Sequence, residues 1–332
     1  MPLPVDSSHL SNHDLLLERF DGMVQMQFLR SSPILPFFNK SFVRGTDTIS
    51  QRRLGGTEII GLTPGVRPDA QSRALGKVAL TIDTVALARD NQGILNKAQE
   101  DFSVLEEVAE DHGKTVAKFM EQAFLIQAIK GAQQAAPTAQ GAFGGATQAE
   151  RDANLQLNFK AGVQATLNAP GDELDPDELF DAIDALVIEF KNRDIDPEDM
   201  LIALPPEQKS VLLSNDKLTS ADFSPRNANV AARKIHTVSD VPILETARIP
   251  QQVITNHPLS NASNTSAYDV TAADAKATAV IMHPRGLLSG EAIPLQSKNW
   301  FDDIEKQWFL DTWVAFGVTP ARPDLCGTVF KA

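Results

Sequence analysis

Residues 101–135 read DFSVLEEVAEDHGKTVAKFMEQAFLIQAIKGAQQA, and this stretch decides the class of the fold. Leu105, Val108, His112, Val116, Phe119, Ala123 and Ile126 recur at steps of three or four, the period of one helical face. No proline interrupts the run before Pro137. At about 1.5 Å per residue the spacing predicts a helix roughly 45–50 Å long, far above the ordinary globular length, with Gly113 as a point of interruption. One stripe is apolar while acids crowd the rest, so the helix is expected to lie along a sheet with its other face wet.

Upstream, from about Gln51 to Asp90, the pattern changes to strand. Gly55-Gly56 and Thr63-Pro64-Gly65 are turn signals, and Val78, Leu80 and Ile82 alternate as on a half-buried strand. Between Lys40 and Lys77 the chain is basic: Lys40, Arg44, Arg52, Arg53, Arg67, Arg73 and Lys77 stand against Asp47, Glu58 and Asp69, a local +4. The first fifty residues read as an arm. Ser11 to Asp14 has capping-box spacing, and Leu16, Phe20 and Val24 predict a short helix over Asp14–Phe28. Ser31–Phe38 (SSPILPFF) then reads either as an extended strap or as an ordinary connector.

Downstream, Pro137–Thr147 is small-residue rich and reads as a loop. Asp175-Pro176-Asp177-Glu178 opens a second helix, with Asp175 as cap, Pro176 at the first position and acids on the positive dipole end. Leu179, Ile183, Leu186 and Phe190 form its core stripe. Met200–Leu204 reads as a buried strand and Pro206–Leu213 as a short helix. Lys234–Val238, Ile243–Ala247, Ala277–Met282 and Phe309–Val318 are further strands, and Asn256–Asp274 is a surface loop. Helices and strands interleave without a repeat, which makes an α+β chain and excludes a solenoid.

The composition narrows the function. The 332 residues carry 30 Lys+Arg and 43 Asp+Glu, a net charge of −13, which argues against a general basic surface for nucleic acid. Six acids lie between Glu100 and Asp111 and seven between Asp172 and Asp184. Opposite patches on one chain can drive head-to-tail contacts between copies, or can be two solvated faces. No apolar run reaches the roughly 18 residues of a membrane span. The N-terminus lacks the basic start and apolar core of a signal peptide, so secretion is not expected.

Little here points to catalysis. One cysteine, Cys326, excludes an internal disulfide and a thiolate metal cage, and reads as a buried thiol. His9 and His13 are four apart but lack the glutamate of a zinc-protease helix, and His112 falls on an apolar stripe, as a satisfied core or interface histidine does. His112-Gly113-Lys114-Thr115 imitates the end of a phosphate loop, yet Val108 stands where the first glycine belongs and the preceding element is helical. Neither a catalytic residue nor a cofactor or metal site is expected. A metal-dependent hydrolase using the histidines is the weaker alternative.

The ordered series resembles a family. An arm, a basic two-stranded excursion, Val78-Ala-Leu-Thr-Ile-Asp-Thr and a long acidic helix occur in that sequence. Ala277-Thr-Ala-Val-Ile-Met-His-Pro-Arg-Gly-Leu and Gly317-Val-Thr-Pro-Ala-Arg-Pro-Asp-Leu-Cys-Gly-Thr-Val follow, with Leu201-Ile-Ala-Leu-Pro-Pro-Glu and Val241-Pro-Ile-Leu-Glu-Thr-Ala-Arg-Ile-Pro between. From about Ser41 onward this is similar to the major capsid proteins of tailed double-stranded-DNA phages, the Hong Kong ninety-seven fold, and most of all to the T-seven-like podophage branch. Asp324 stands where the family more often has Glu.

The resemblance implies an N-terminal arm (1–50), an extended loop (51–90) and a peripheral domain (91–174) holding the spine helix. An axial domain (175–256) and return strands (257–332) complete it. It implies a virion subunit, made in the host cytoplasm, that assembles with itself into pentamers and hexamers around double-stranded DNA. Portal and scaffolding proteins would be its other partners, with no membrane. A tail-tube or scaffold protein is the alternative, disfavoured by the long helix and the strand-rich C-terminal half. The expected contact between copies joins Arg52, Arg53, Arg67, Arg73 and Lys77 to Glu106, Glu107, Glu110 and Asp111 of an adjoining subunit.

Overall fold

The computed structural model describes residues 12–54, 61–65, 67, 75–93, 103–135, 160–215, 218, 228–229 and 234–332. In chain order the elements are α1 (Asn12–Ser31), β1 (Lys40–Phe42), β2 (Thr48–Leu54), β3 (Leu75–Thr81), β4 (Ala86–Gly93), α2 (Ser103–Gln133), β5 (Val163–Thr166) and α3 (Pro176–Lys191). There follow β6 (Leu201–Leu204), α4 (Pro206–Leu212), β7 (Ala228–Asn229), β8 (Lys234–Ile235), β9 (Thr237–Val238), β10 (Val241–Glu245), β11 (Ala277–Met282), β12 (Leu287–Asp302), β13 (Gln307–Pro320) and β14 (Cys326–Phe330). The expected loop at Pro137–Thr147 lies outside the described residues.

The chain divides into two compact units. The first comprises residues 1–37, 82–121 and 291–316. Here β13 pairs antiparallel with β4, with Asp311 opposite Arg89 and Trp313 opposite Leu87. One sheet face is covered by helices: Phe20 and Val24 of α1, Ala109 of α2 and Leu310 of β13 form a buried cluster, with Leu295 against it. α2 runs unbroken for 31 residues, so the interruption expected at Gly113 does not occur. The glycine serves close approach instead. A Cβ at Gly113 would stand 2.6 Å from the Val24 carbonyl oxygen and 3.1 Å from the Phe28 nitrogen. The reading of a half-wet helix holds only for its first part, where Glu107, Asp111, Thr115 and Lys118 are exposed; from Ala123 to Ile129 every residue is buried.

The segment after α1 is not the extended strap: Leu35–Phe37 form a short 3-10 helix. Ile34 and Leu35 are buried, the Ile34 N–H donates to Glu121 Oε1 at 2.8 Å, and Ser32 Oγ donates to the Phe28 carbonyl at 2.7 Å. It is tied down on its own chain.

The second unit comprises residues 38–81, 122–290 and 317–332. Its six-stranded sheet has the order β5-β14-β11-β6-β10-β9. β11 pairs antiparallel with both β14 and β6, and Ile281 lies opposite Gly327 on one side and Ile202 on the other. All six β11 residues are buried, as a strand covered on both faces must be. α3 covers the sheet through Leu179, Ile183, Leu186, Val187 and Phe190. It starts where expected: Asp175 Oδ1 accepts from the Asp177 N–H at 2.9 Å, and Pro176 opens the first turn.

Gly327 makes room for this helix. A Cβ there would lie 2.8 Å from Phe190 Cζ. The Gly327→Ala variant is therefore expected to lose about 1–3 kcal/mol of stability, the usual cost of overfilling a core, measurable as a shifted denaturant midpoint. An unchanged midpoint would mean that the Phe190 ring moves aside at no cost.

Candidate functional site

β2 and β3 form a ribbon that pairs with no third strand among the described residues. Arg52 lies directly opposite Lys77, both are exposed, and neither meets a carboxylate among the described residues. Like charges in that position repel. Leu54 is 46% exposed and Leu62 is 73% exposed on the same excursion. An isolated two-stranded ribbon is marginal in water, and this one adds repulsion and uncovered apolar surface. Arg67 is exposed as well, and Arg73 lies outside the described residues.

Arg53 departs from the expectation of an outward contact. Its Nε donates to the Ala321 carbonyl at 2.7 Å and its Nη2 to that of Pro320 at 3.3 Å. Burial lowers its pKa while Asp324 works the other way. The alternation of a strand explains the split: Arg52 and Arg53 point to opposite faces, and only one can face outward. Two of the four acids named on the long helix also serve their own chain. Glu106 pairs with Arg19, and Glu110 with Lys114 at 3.2 Å. Glu107 and Asp111 are exposed.

His112 and Cys326 are held as structural parts, while the side chains of His9 and His13 lie outside the described residues. His112 is buried, with Nδ1 3.0 Å from Thr312 Oγ1 and Nε2 3.0 Å from Asp90 Oδ2, its ring edge-on to Phe20. Lys114 and Thr115 lie in mid-helix, so no phosphate cradle forms. Cys326 is buried, and loss of solvent pushes its thiol pKa up to about 12. Among the described residues no three of the His, Cys, Asp and Glu side chains gather as a metal site. No described helix is long and apolar enough to cross a membrane.

One cluster went unnoticed at the level of sequence. Asp311 receives Arg89 Nε at 2.7 Å, Arg89 Nη2 at 2.8 Å and Trp300 Nε1 at 2.8 Å. Trp300 stacks on Phe309 at 4.7 Å, and the Arg89 guanidinium lies 5.4 Å from that ring. Burial pushes the Asp311 pKa up, but hydrogen bonds from Arg89 and Trp300 outweigh it and hold the carboxyl below its ordinary value. A depressed carboxylate stabilises the fold in full above the unfolded pKa, about 3.9, and loses that contribution as pH falls through the lower folded value. Acid titration should therefore leave the Trp300 fluorescence environment unchanged to below pH about 4. In Asp311→Asn that acid dependence should vanish, and its persistence would remove the assignment.

These surfaces belong to a recognisable kind of protein. A family model described as phage capsid protein matches residues 95–327. The chain belongs to the phage capsid protein family. The capsid protein is similar over 89% of its length to the chain in the asymmetric unit of the bacteriophage PhiM1 mature capsid, with 27% identity, 86% of that chain covered and a TM-score of 0.73. The capsid structure of cyanophage P-SCSP1u matches with 13% identity, the same coverages and a TM-score of 0.73. A Mycobacterium phage Che8 chain matches with 14% identity, 90% of each chain covered and a TM-score of 0.61. A comparison with curated protein sequences finds no match. The fold is the Hong Kong ninety-seven capsid fold, and the capsid protein is a major structural component of the virion.

Proposed function

We propose that copies of this capsid protein assemble into pentamers and hexamers that close an icosahedral shell around double-stranded DNA. The observation that carries this reading is the β2–β3 ribbon, with Arg52 opposite Lys77 and no carboxylate to offset them among the described residues. Such a ribbon gains its stability from an anionic surface supplied by another copy. In the family arrangement the ribbon is the extended loop of residues 51–90. Residues 91–174 are then the peripheral domain, 175–256 the axial domain and 257–332 the return strands. The acceptors for Arg52, Lys77, Arg67 and Arg73 are acids such as Glu107 and Asp111 of the adjoining copy.

The charge balance supports the same function. At −13 the chain repels phosphates, so a genome can slide into and out of the shell without adsorbing to it. Portal and scaffolding proteins are the expected helpers, the host cytoplasm is the place of assembly, and the T-seven-like podophage branch is the group to which the same reading assigns the chain. Negative-stain microscopy of the expressed chain tests the reading, with closed icosahedral particles as the expected result. A monodisperse monomer at high concentration, under every assembly condition, would overturn it.

A further inference from the structure

The two C-terminal motifs that the assembly reading leaves without a role meet in one place. His283 and Arg285, from the turn after β11, and Arg322, from the turn before β14, line a cleft of about 220 Å³ together with Lys160 and Arg193. The carboxylates in its wall are Asp194 and Asp324. Four permanent cations against two acids leave the wall at +2, on a chain whose total is −13.

Part of this charge is already engaged. Arg322 Nη2 donates to Asp324 at 2.7 Å, and Arg193 Nε donates to Glu189 at 2.9 Å. Arg285 and Lys160 meet no carboxylate among the described residues, and both are exposed. His283 Nδ1 accepts the Arg285 N–H at 3.0 Å, which fixes the turn, and burial lowers the His283 pKa. The recess thus offers the exposed Arg285 guanidinium and Lys160 ammonium beside two arginines already engaged within the chain, and an arginine can bind an oxyanion in bidentate fashion.

The cleft lies at the C-terminal end of α3, since Arg193 follows its last residue by two. The opposite end of the same helix is acidic: Asp175, Asp177, Glu178 and Asp181 are all exposed there. A helix of 16 residues sets the two patches about 24 Å apart. The helix dipole accounts for acids at one end and for Lys191 at the other. It does not account for Lys160, Arg285 and Arg322, which come from three other segments. Two complementary patches at opposite ends of one helix suit a head-to-tail contact, which closes into a ring where the rotation between copies allows.

We infer that this cleft is a socket for side-chain carboxylates of a second copy of the chain, supplied by Glu178 and its neighbours at the start of α3. The inference rests on the assembly reading and gives it a second contact, independent of the ribbon. A DNA phosphate is disfavoured because a recess of about 220 Å³ does not fit the broad backbone of a duplex.

The test uses an assembly reaction in which the unmodified chain forms shells, scored by sedimentation and microscopy. Arg285→Glu should lower shell yield by about tenfold or more, because a charge is reversed at every equivalent contact, while Arg285→Lys should retain most of it. Combining Arg285→Glu with Glu178→Arg should restore shells, and the circular dichroism of each subunit should match the unmodified chain. Wild-type yield from Arg285→Glu would overturn the socket, as would failure of charge reversal at both Glu178 and Asp181 to rescue it. Normal empty shells that fail only to retain DNA would assign the cleft to phosphate and overturn it too. If the unmodified chain forms no shells at all, the assembly reading itself falls first.

Discussion

Arg52→Glu is expected to abolish shell formation while making the separated subunit slightly more stable. The two effects have opposite signs because Arg52 faces Lys77 across the ribbon. Replacing one member of a repelling cross-strand pair by glutamate creates an attractive one, worth about 0.2–1 kcal/mol. Within one copy the change is therefore favourable. Between copies it places a new negative charge against acids of the neighbour, and the error repeats at every equivalent contact of a shell. Yield should fall at least about tenfold in sedimentation while the melting temperature of the subunit stays level or rises slightly. Shells at the unmodified yield would show that the ribbon's cations have no partner outside their own copy. Arg53→Glu is the contrast. Its guanidinium holds the carbonyls of Pro320 and Ala321, so it should weaken the subunit itself.

Gly113→Ala is expected to destabilise the fold through a clash with backbone. Helix propensity alone favours alanine by about 1 kcal/mol in the interior of a helix. Packing opposes it. The new methyl would lie 2.6 Å from the Val24 carbonyl oxygen and 3.1 Å from Gln27 Cβ, a distance that forces backbone rather than a flexible side chain to move. Overfilling of this kind costs about 1–3 kcal/mol and more where backbone must shift, so the net result is a loss of about 1–2 kcal/mol. Chemical denaturation would read it directly. A neutral or stabilised variant would mean that α1 does not cross α2 closely at this point.

Much of this was legible in the chain itself, wherever a local pattern decides the outcome. The period of Leu105 to Ile126 predicted α2, Asp175-Pro176 predicted the start of α3, and the apolar run at Ala277 predicted β11. What stayed hidden depends on partners distant in sequence. β12 was not anticipated, because Gly290 and Pro294 interrupt a stretch whose burial alternates. Gly113 looked like a break because the helix that needs its missing side chain lies some ninety residues earlier. Arg53 looked equivalent to Arg52, and only the pairing register shows that one faces the chain's own turn. The cluster around Asp311 joins three segments whose residues carry no local signal, although Arg89 and Asp311 sit at paired positions of adjacent strands.

The state of Cys326 has a practical consequence. It is the chain's single cysteine, it is buried, and its thiol keeps its proton far above neutral pH. Alkylating reagents attack thiolates, so the folded chain offers them almost nothing to modify. A cysteine engineered at any exposed position would then be the one handle a maleimide finds. Dyes, drugs or antigens could be attached once per copy, at a chosen site, without first removing a native competitor.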